Sequence, residues 1–260
     1  MLVYVQMHGN TFQFDGAYAA YEGAEHNGIK VDDIIQFRDI MEVPARPGIM
    51  VVASIEDTRT FFKRIGMESW EYDAMDAFDL LRGSGLIKRK YQESTLEEFM
   101  KFGKTPKFIK PRYVTKGFPS GVVSNIGNLP VMLSDYKGPK DIDILEVEVV
   151  DMVSEYRVFV RRRKNNPIVG MRHYQGDPFL VPSKNYITEV INYLRRYTDL
   201  ASAYTLDVAV MADGTTQVVE MNDGWSVGSY GLDGETYFGF LLDRWLQLME
   251  NGKANARQRK

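Results

Sequence analysis

The stretch TLDVAVMADGTTQVVEMN, residues 205–222, decides the fold. Apolar and polar residues alternate on both sides of an Asp-Gly dipeptide, one of the strongest short-range signals of a β-hairpin. With residues 213 and 214 as a two-residue loop, Asp207 lies opposite Glu220. Asn222 is two residues beyond Glu220 and projects from the same face. The hairpin therefore predicts two carboxylates and an amide on one face, with apolar side chains behind them.

Two carboxylates that face each other across a strand pair repel, which destabilises the pair when no cation lies between them. A small set of oxygen donors that leaves room for water and phosphate suits Mg²⁺. The alternative interpretation is an exposed acidic face, screened by water and by neighbouring Arg or Lys side chains. The hairpin alone leaves both interpretations open.

The composition narrows the chemistry that this chain can perform. Its 260 residues, 44% hydrophobic and 26% charged, fit one large domain or a small domain joined to a medium one. The formal net charge of -3 excludes a global basic field for nucleic acid. No run of about 18 apolar residues predicts a membrane span. The chain has no cysteine and three scattered histidines, so carboxylates, lysines and arginines must carry the function.

The first part of the chain alternates strands with helices, which predicts a small, mostly parallel α/β sheet. The predicted strands are 2–6, 33–37 and 48–53, and the predicted helices are 17–26, 57–65 and 72–81. Gly83-Ser84-Gly85 interrupts the pattern. We therefore expect a small N-terminal domain (1–90), a second domain (91–252) and a flexible basic tail (253–260).

The second part changes to longer strands and hairpins. A doubled capping box at Ser94 and Thr95 predicts a helix that ends near Gly103. The further predicted elements are a strand at 143–150, a hairpin of 156–163 with 168–174, a helix at 187–197 and a terminal helix at 234–250 with Gly252 as its stop.

Lys110 ends an apolar strand directly before a proline, and a loop with two glycines and Lys116 follows. Such a loop can direct backbone N–H groups at phosphates, with the two lysines as point charges. An ordinary surface turn is the competing interpretation.

A second hairpin turns around residues 165–166 and carries two arginines. A two-residue loop there places Arg157 and Arg172 on one face as diagonal neighbours, close enough to hold one anion together. The basic run at residues 161–164 forms the tip, which is more often a solvated hairpin end than a nucleic-acid patch.

Taken in order, these segments resemble the ATP-grasp superfamily over roughly residues 105–231. Residues 108–123 are similar to its lysine–proline strand and glycine-containing loop, and residues 145–150 to the hinge strand that meets adenine and ribose. Arg172 falls where the ribosomal-protein glutamate ligases carry an arginine, and the hairpin resembles their Asp…Glu-x-Asn metal signature. Residues 222–230 look like the ending of a little-studied branch common in bacteria and their phages.

The resemblance implies an α/β (α+β) protein with the ATP-grasp fold and a small N-terminal Rossmann-like region. It implies a cytoplasmic enzyme, in the host cytoplasm if phage-encoded, that uses ATP and Mg²⁺ to join a carboxylate to an amine through an acyl phosphate. The substrates are open: an amino acid, a peptide or a modified nucleotide. The implied site residues are Asp207, Glu220 and Asn222 for the metal, Lys110, Lys116, Glu146 and Glu148 for ATP, and Arg157 and Arg172 for catalysis.

One feature departs from the family, and two alternative functions remain. The usual upstream lysine has no counterpart, because the corresponding region reads Ser69-Trp70, flanked by Lys63 and Lys88. A nucleotide-binding switch or scaffold without turnover is one alternative, and a phosphotransferase is the other. The complete metal set together with the arginine favours catalysis, since nucleotide binding alone does not require all four residues.

Overall fold

The structure is a computed structural model that describes residues 1–67, 76–112 and 118–258, with side chains to residue 251. Its strands are β1 Leu2–His8, β2 Thr11–Phe12, β3 Ile34–Phe37, β4 Ile49–Val52, β5 Tyr91–Thr95, β6 Lys107–Pro111, β7 Gly121–Val123, β8 Asp143–Val147, β9 Met152–Arg161, β10 Ile168–Gly176, β11 Ala203–Met211 and β12 Thr216–Asp223. Its helices are α1 Asp15–His26, α2 Ile55–Arg64, α3 Ala77–Leu80, α4 Leu96–Phe102, α5 Leu129–Met132, α6 Lys184–Leu194 and α7 Gly234–Gln258.

The N-terminal sheet is centred on β1, which pairs in parallel with β3 and β4 and antiparallel with the short β2. The predicted small, mostly parallel α/β region is therefore confirmed. All four residues of β4 are buried, as expected for a parallel strand that is covered on both faces.

The other two sheets are antiparallel. One has the strand order β5-β8-β6-β7, and the other β10-β9-β11-β12. The predicted capping box is present at Thr95, where α4 begins, and Ser183 caps α6 as predicted. One face of the β10-β9-β11-β12 sheet packs against α6, and the opposite face turns towards the N-terminal sheet and α7.

The N-terminal sheet shares its core with the end of the chain. Phe159 of β9, Trp225 and a series of α7 side chains lie in the same hydrophobic cluster as β1 and β4. Helices α1 and α7 cross so closely that a Cβ on Gly23 would lie 1.8 Å from the carbonyl oxygen of Gly234. The first ninety residues thus do not close a core by themselves, and the division at residue 90 stays a prediction.

Three predicted element bounds need correction or comment. The helix does not stop at Gly252 but continues to Gln258, because an internal glycine costs only about 1 kcal/mol when good helix formers follow it. The strand predicted to reach residue 150 ends at Val147. Of the helix predicted at 72–81, α3 is present, and residues 72–75 lie outside the described residues. No helix in the described ranges has the length and apolarity that a membrane span requires.

Candidate nucleotide and metal site

One row of charged side chains crosses the β10-β9-β11-β12 sheet. Arg172 pairs with Arg157, Arg157 pairs with Asp207, and Asp207 pairs with Glu220. Because paired residues of neighbouring strands share a face, all four lie on the face that turns towards the N-terminal sheet. With strands about 4.8 Å apart, the row spans roughly 14 Å.

A buried ion pair lies at the centre of this row. The Nε and Nη2 atoms of Arg157 donate to Oδ1 and Oδ2 of Asp207 at 2.8 and 2.7 Å, and Asp207 is 2% exposed. Burial raises the pKa of Asp207 to about 6, with Arg157 opposing the rise and Glu220 adding to it. Asp207 therefore remains ionised at pH 7, and Arg157 is its counter-charge.

Asn222 links the two carboxylates, as its predicted position on the same face requires. Its Nδ2 atom donates to Oε1 of Glu220 at 3.0 Å and lies 3.4 Å from Oδ2 of Asp207. A turn of the amide by 180° would present Oδ1 to the same space. Two carboxylates and an amide oxygen, with phosphate and water completing the shell, fit Mg²⁺. Within the described residues, no three His, Asp or Glu side chains gather in one place, so this set is the candidate metal site.

The hairpin reaches the predicted pairing by a different route. Its turn is not the two-residue loop predicted: Met211 bonds to Thr215, and Gly214 donates to the Met211 carbonyl with a φ of 79°. The resulting three-residue loop shifts the register by one, so that Val208 pairs with Val218. A bulge at Val219 then restores the pairing of Asp207 with Glu220. Without this bulge, Glu220 would project from the opposite face.

Arg89 braces the bulge, and the sequence analysis missed it. Its Nη2 atom donates to the carbonyls of Val218 and Val219 at 3.0 and 3.1 Å, and the residue is 6% exposed. Its guanidinium lies 5.4 Å from the ring centroid of Phe78, and burial lowers its pKa. The triplet Lys-Arg-Lys at residues 88–90 gives no sign that only its middle member is buried.

A cavity opens beside this brace, between the two antiparallel sheets, with an empty volume of about 480 Å³. Its apolar walls are Phe78, Phe108, Val122, Val147, Val149, Val150 and Met152. Its polar residues include Arg89, Lys110, Glu148 and Glu220. A flat apolar slot with a few charged groups is the usual form of a ligand pocket.

The structure places most of the residues predicted to contact ATP. Lys110 lines the cavity, with Nζ 2.7 Å from Oδ2 of Asp76 and 5.2 Å from the Phe78 ring centroid. Glu148 lines it too, and its Oε2 accepts the Lys90 N–H at 3.1 Å. Glu146 does not belong to the cavity lining: it projects from the other face of β8 and accepts hydrogen bonds from Gln92 and Ser94. Lys116 and the pair at 69–70 lie outside the described residues.

The arginine hairpin has a different register from the predicted one. Arg172 lies directly opposite Arg157 rather than diagonal to it. The loop is longer than two residues, because the Arg161 N–H donates to the Pro167 carbonyl at 2.8 Å and residues 162–166 close the turn. The Nε atom of Arg172 donates to the Gly231 carbonyl at 3.1 Å, and in the described part of the chain no carboxylate pairs with it.

The segment after β12 covers the ion pair with an aromatic ring. The Tyr230 ring centroid lies 4.8 Å from the Arg157 guanidinium carbon, and Tyr230 adopts a φ of 49°, which non-glycine residues rarely adopt. Trp225, which the sequence suggested as a contact for a planar or anionic partner, is buried in the core instead.

Solved structures share this fold. D-cycloserine synthetase matches with a TM-score of 0.59 at 12% identity over 95% of this chain and 100% of the other. A RimK domain ATP-grasp protein from Sphaerobacter thermophilus matches with a TM-score of 0.58 at 15% identity over 94% and 98%. The D-alanine–D-alanine ligase of Bacillus anthracis, complexed with ATP, matches with a TM-score of 0.55 at 13% identity over 96% and 97%. No curated protein sequence matches the chain.

The fold is therefore that of the ATP-grasp proteins, as the sequence predicted. The model of one ATP-grasp domain family, the second family of its clade, matches residues 86–240. This match covers more than half of the chain, and the chain belongs to this family.

The bulge gives a stability prediction for Arg89. Replacing Arg89 by Met should cost about 1–3 kcal/mol in the free energy of unfolding, because two buried carbonyls lose a shared donor. Urea unfolding measures this loss. Arg82→Met is the control: its side chain is 53% exposed and pairs with Asp79 and Glu93 at the surface, so it should cost less than about 1 kcal/mol. Equal costs for the two variants would contradict the bracing role.

Proposed function

We propose that the protein is an ATP-dependent ligase that joins a carboxylate to an amine through an acyl phosphate and releases ADP and phosphate. The observation that carries the proposal is that Glu220 belongs both to the charged row and to the cavity lining. A nucleotide in the cavity would therefore have its phosphates at the row. The printed names of the solved relatives, a D-alanine–D-alanine ligase and a D-cycloserine synthetase, support ligation.

In this proposal the cavity holds the nucleotide. Its apolar walls take the adenine, and Glu148, at the end of β8, accepts a hydrogen bond from the ribose or the adenine edge. Lys110 supplies a positive charge to the phosphates and shares it with Asp76. Lys116 remains a proposed phosphate contact on sequence grounds.

Asp207, Glu220 and Asn222 would hold Mg²⁺, which when bound neutralises phosphate charge. Arg157 has a positioning role in this account: its two hydrogen bonds fix both oxygens of Asp207. Arg172, which has no carboxylate partner in the described part of the chain, would stabilise the charge that spreads over the transferring phosphoryl group.

The reaction balances in two steps. A carboxylate oxygen of the first substrate attacks the γ-phosphorus, a new P–O bond forms, and the bond to the β–γ bridging oxygen breaks, which yields an acyl phosphate and ADP. The amine nitrogen then attacks the acyl carbon, the C–N bond forms, and phosphate leaves with the bonding electrons of the C–O bond. The amine loses a proton.

The metal assignment predicts the effect of one carboxylate. Mg²⁺ with ATP should raise the melting temperature, because a ligand that binds only the folded state stabilises it, by about 2.7 kcal/mol at a hundred times its Kd. Glu220→Gln should keep the fold and lose the magnesium-dependent part of this rise. Asp213→Asn, at the exposed tip of the same hairpin, is the matched control and should keep it. A full magnesium response in Glu220→Gln would remove this site from the proposal.

The two cations should separate binding from turnover. Lys110→Ala should weaken ATP binding about tenfold or more, because a positive charge beside the phosphates is lost. Arg172→Ala should change ATP affinity little and lower ADP formation roughly a hundredfold, as the loss of a transition-state contact does. Calorimetry and an ADP assay measure the two effects. Arg163→Ala, at the tip of the same hairpin, is the control, and normal turnover by Arg172→Ala would show that its role is assigned wrongly.

The acyl phosphate can be detected before the amine is known. Positional isotope exchange in ATP labelled at the β–γ bridging oxygen should occur with the carboxylate substrate present and the amine absent. Candidate amino acids, peptides and modified nucleotides form the screen. Formation of AMP, or ADP release that no acceptor stimulates, would contradict the ligase proposal and favour the phosphotransferase or the non-catalytic switch.

A further inference from the structure

A second concavity lies at the tip of the arginine hairpin, away from the nucleotide cavity, and measures about 640 Å³. The hairpin tip, the turn after α6 and one residue of α7 form its walls. Four cations line it: Arg162, Arg163, Lys164 and Arg195. The remaining lining residues are Asn, Thr, Ser and Gln, so the lining contains no acidic, aromatic or aliphatic side chain.

Hydrogen bonds hold the walls of this concavity in place. The Nη1 and Nη2 atoms of Arg162 each donate at 2.7 Å, to the carbonyls of Leu200 and Tyr197. Gln247 of α7 accepts the Ser202 N–H at 2.6 Å. Arg161, the first residue of the basic run, is held separately in a bidentate pair with Asp243 of α7. The tip is therefore an organised surface and not the loosely solvated hairpin end that its sequence indicates.

The cations crowd together without compensation. Arg163, Lys164 and Arg195 are exposed, and in the described part of the chain no carboxylate pairs with them. Burial first, and then repulsion from Arg195, lower the pKa of Arg162, with Tyr204 opposing. An anion in the concavity would relieve this repulsion. The concentration of positive charge is local, because the whole chain has a net charge of -3.

The lining selects the class of anion. Pockets for compact small molecules are mostly apolar, whereas this concavity is polar throughout. Arg, Lys, Ser, Thr, Asn and Gln are the side chains that contact phosphates and sugars in nucleic-acid complexes. A phosphodiester linkage presents only hydrogen-bond acceptors, which suits a donor-rich surface, whereas a peptide backbone also presents N–H groups. Because no aromatic ring lines the concavity, bases find no stacking platform there.

We propose that this concavity binds the phosphodiester backbone of a single-stranded nucleic acid without regard to base sequence. The site is separate from the charged row: Ser202 precedes Asp207 by five residues, about 17 Å along an extended strand. The sequence extends the positive charge beyond α7, since residues 251–260 contain four Lys or Arg and no acidic residue.

The test uses a fluorescein-labelled twelve-residue oligouridylate and fluorescence anisotropy over a series of salt concentrations. The triple variant Arg163→Gln, Lys164→Gln, Arg195→Gln should weaken binding about tenfold or more at moderate salt. It should also reduce the slope of log K against log salt by about 2, since each phosphate contact to a single strand contributes about 0.7. Oligoadenylate should bind within about threefold of oligouridylate.

The matched control removes three exposed lysines elsewhere, Lys30→Gln, Lys63→Gln and Lys104→Gln, and should bind as the unaltered protein does. All six altered side chains are exposed, so thermal melting should show both variants folded. Absence of RNA binding by the unaltered protein would overturn the proposal, as would an equal loss in the control variant. Binding of polyglutamate more tightly than RNA through the same three residues would assign the site to an acidic polypeptide instead.

Discussion

The buried ion pair between Arg157 and Asp207 is the interaction on which the charged row depends. A carboxylate that is 2% exposed needs a bonded counter-charge, and removing one member of such a pair typically costs about 3–5 kcal/mol. The pair joins β9 to β11, so it holds only in one register of these strands. That register also aligns Arg172 and Glu220 at the two ends of the row. The same contact therefore stabilises the sheet and arranges the charges.

The bulge in β12 connects the row with the cavity. It returns Glu220 to the face of Asp207, and Arg89 bonds to the carbonyls on both sides of it. Phe78 contacts both Arg89 and Lys110. The cavity wall and the strand that carries the candidate metal ligands are thus parts of one packed unit, which explains how a bound nucleotide and a bound cation could influence each other directly.

The N-terminal region supports the site through the segment that follows β12. Trp225 lies in the core of the N-terminal sheet, and the Ser226 hydroxyl donates to the Ala53 carbonyl. The Ser229 hydroxyl donates to Asp15 at the start of α1. These anchors hold the next residue, Tyr230, over Arg157 in its unusual backbone conformation. The N-terminal region contributes no member of the charged row, yet it sets the position of the ring that covers it.

The sequence by itself determined the features that depend on short spacings. Alternating apolar residues around an Asp-Gly turn indicated the last hairpin, and residues two apart placed Glu220 and Asn222 on one face. Caps at Thr95 and Ser183 were readable because a cap needs only its neighbours along the chain. Only the tertiary structure decided that Arg157 would hold Asp207, fifty residues away, and that Arg89 would brace a bulge on β12. Such contacts arise from strand pairing and burial between distant segments, and no local period in the sequence records them.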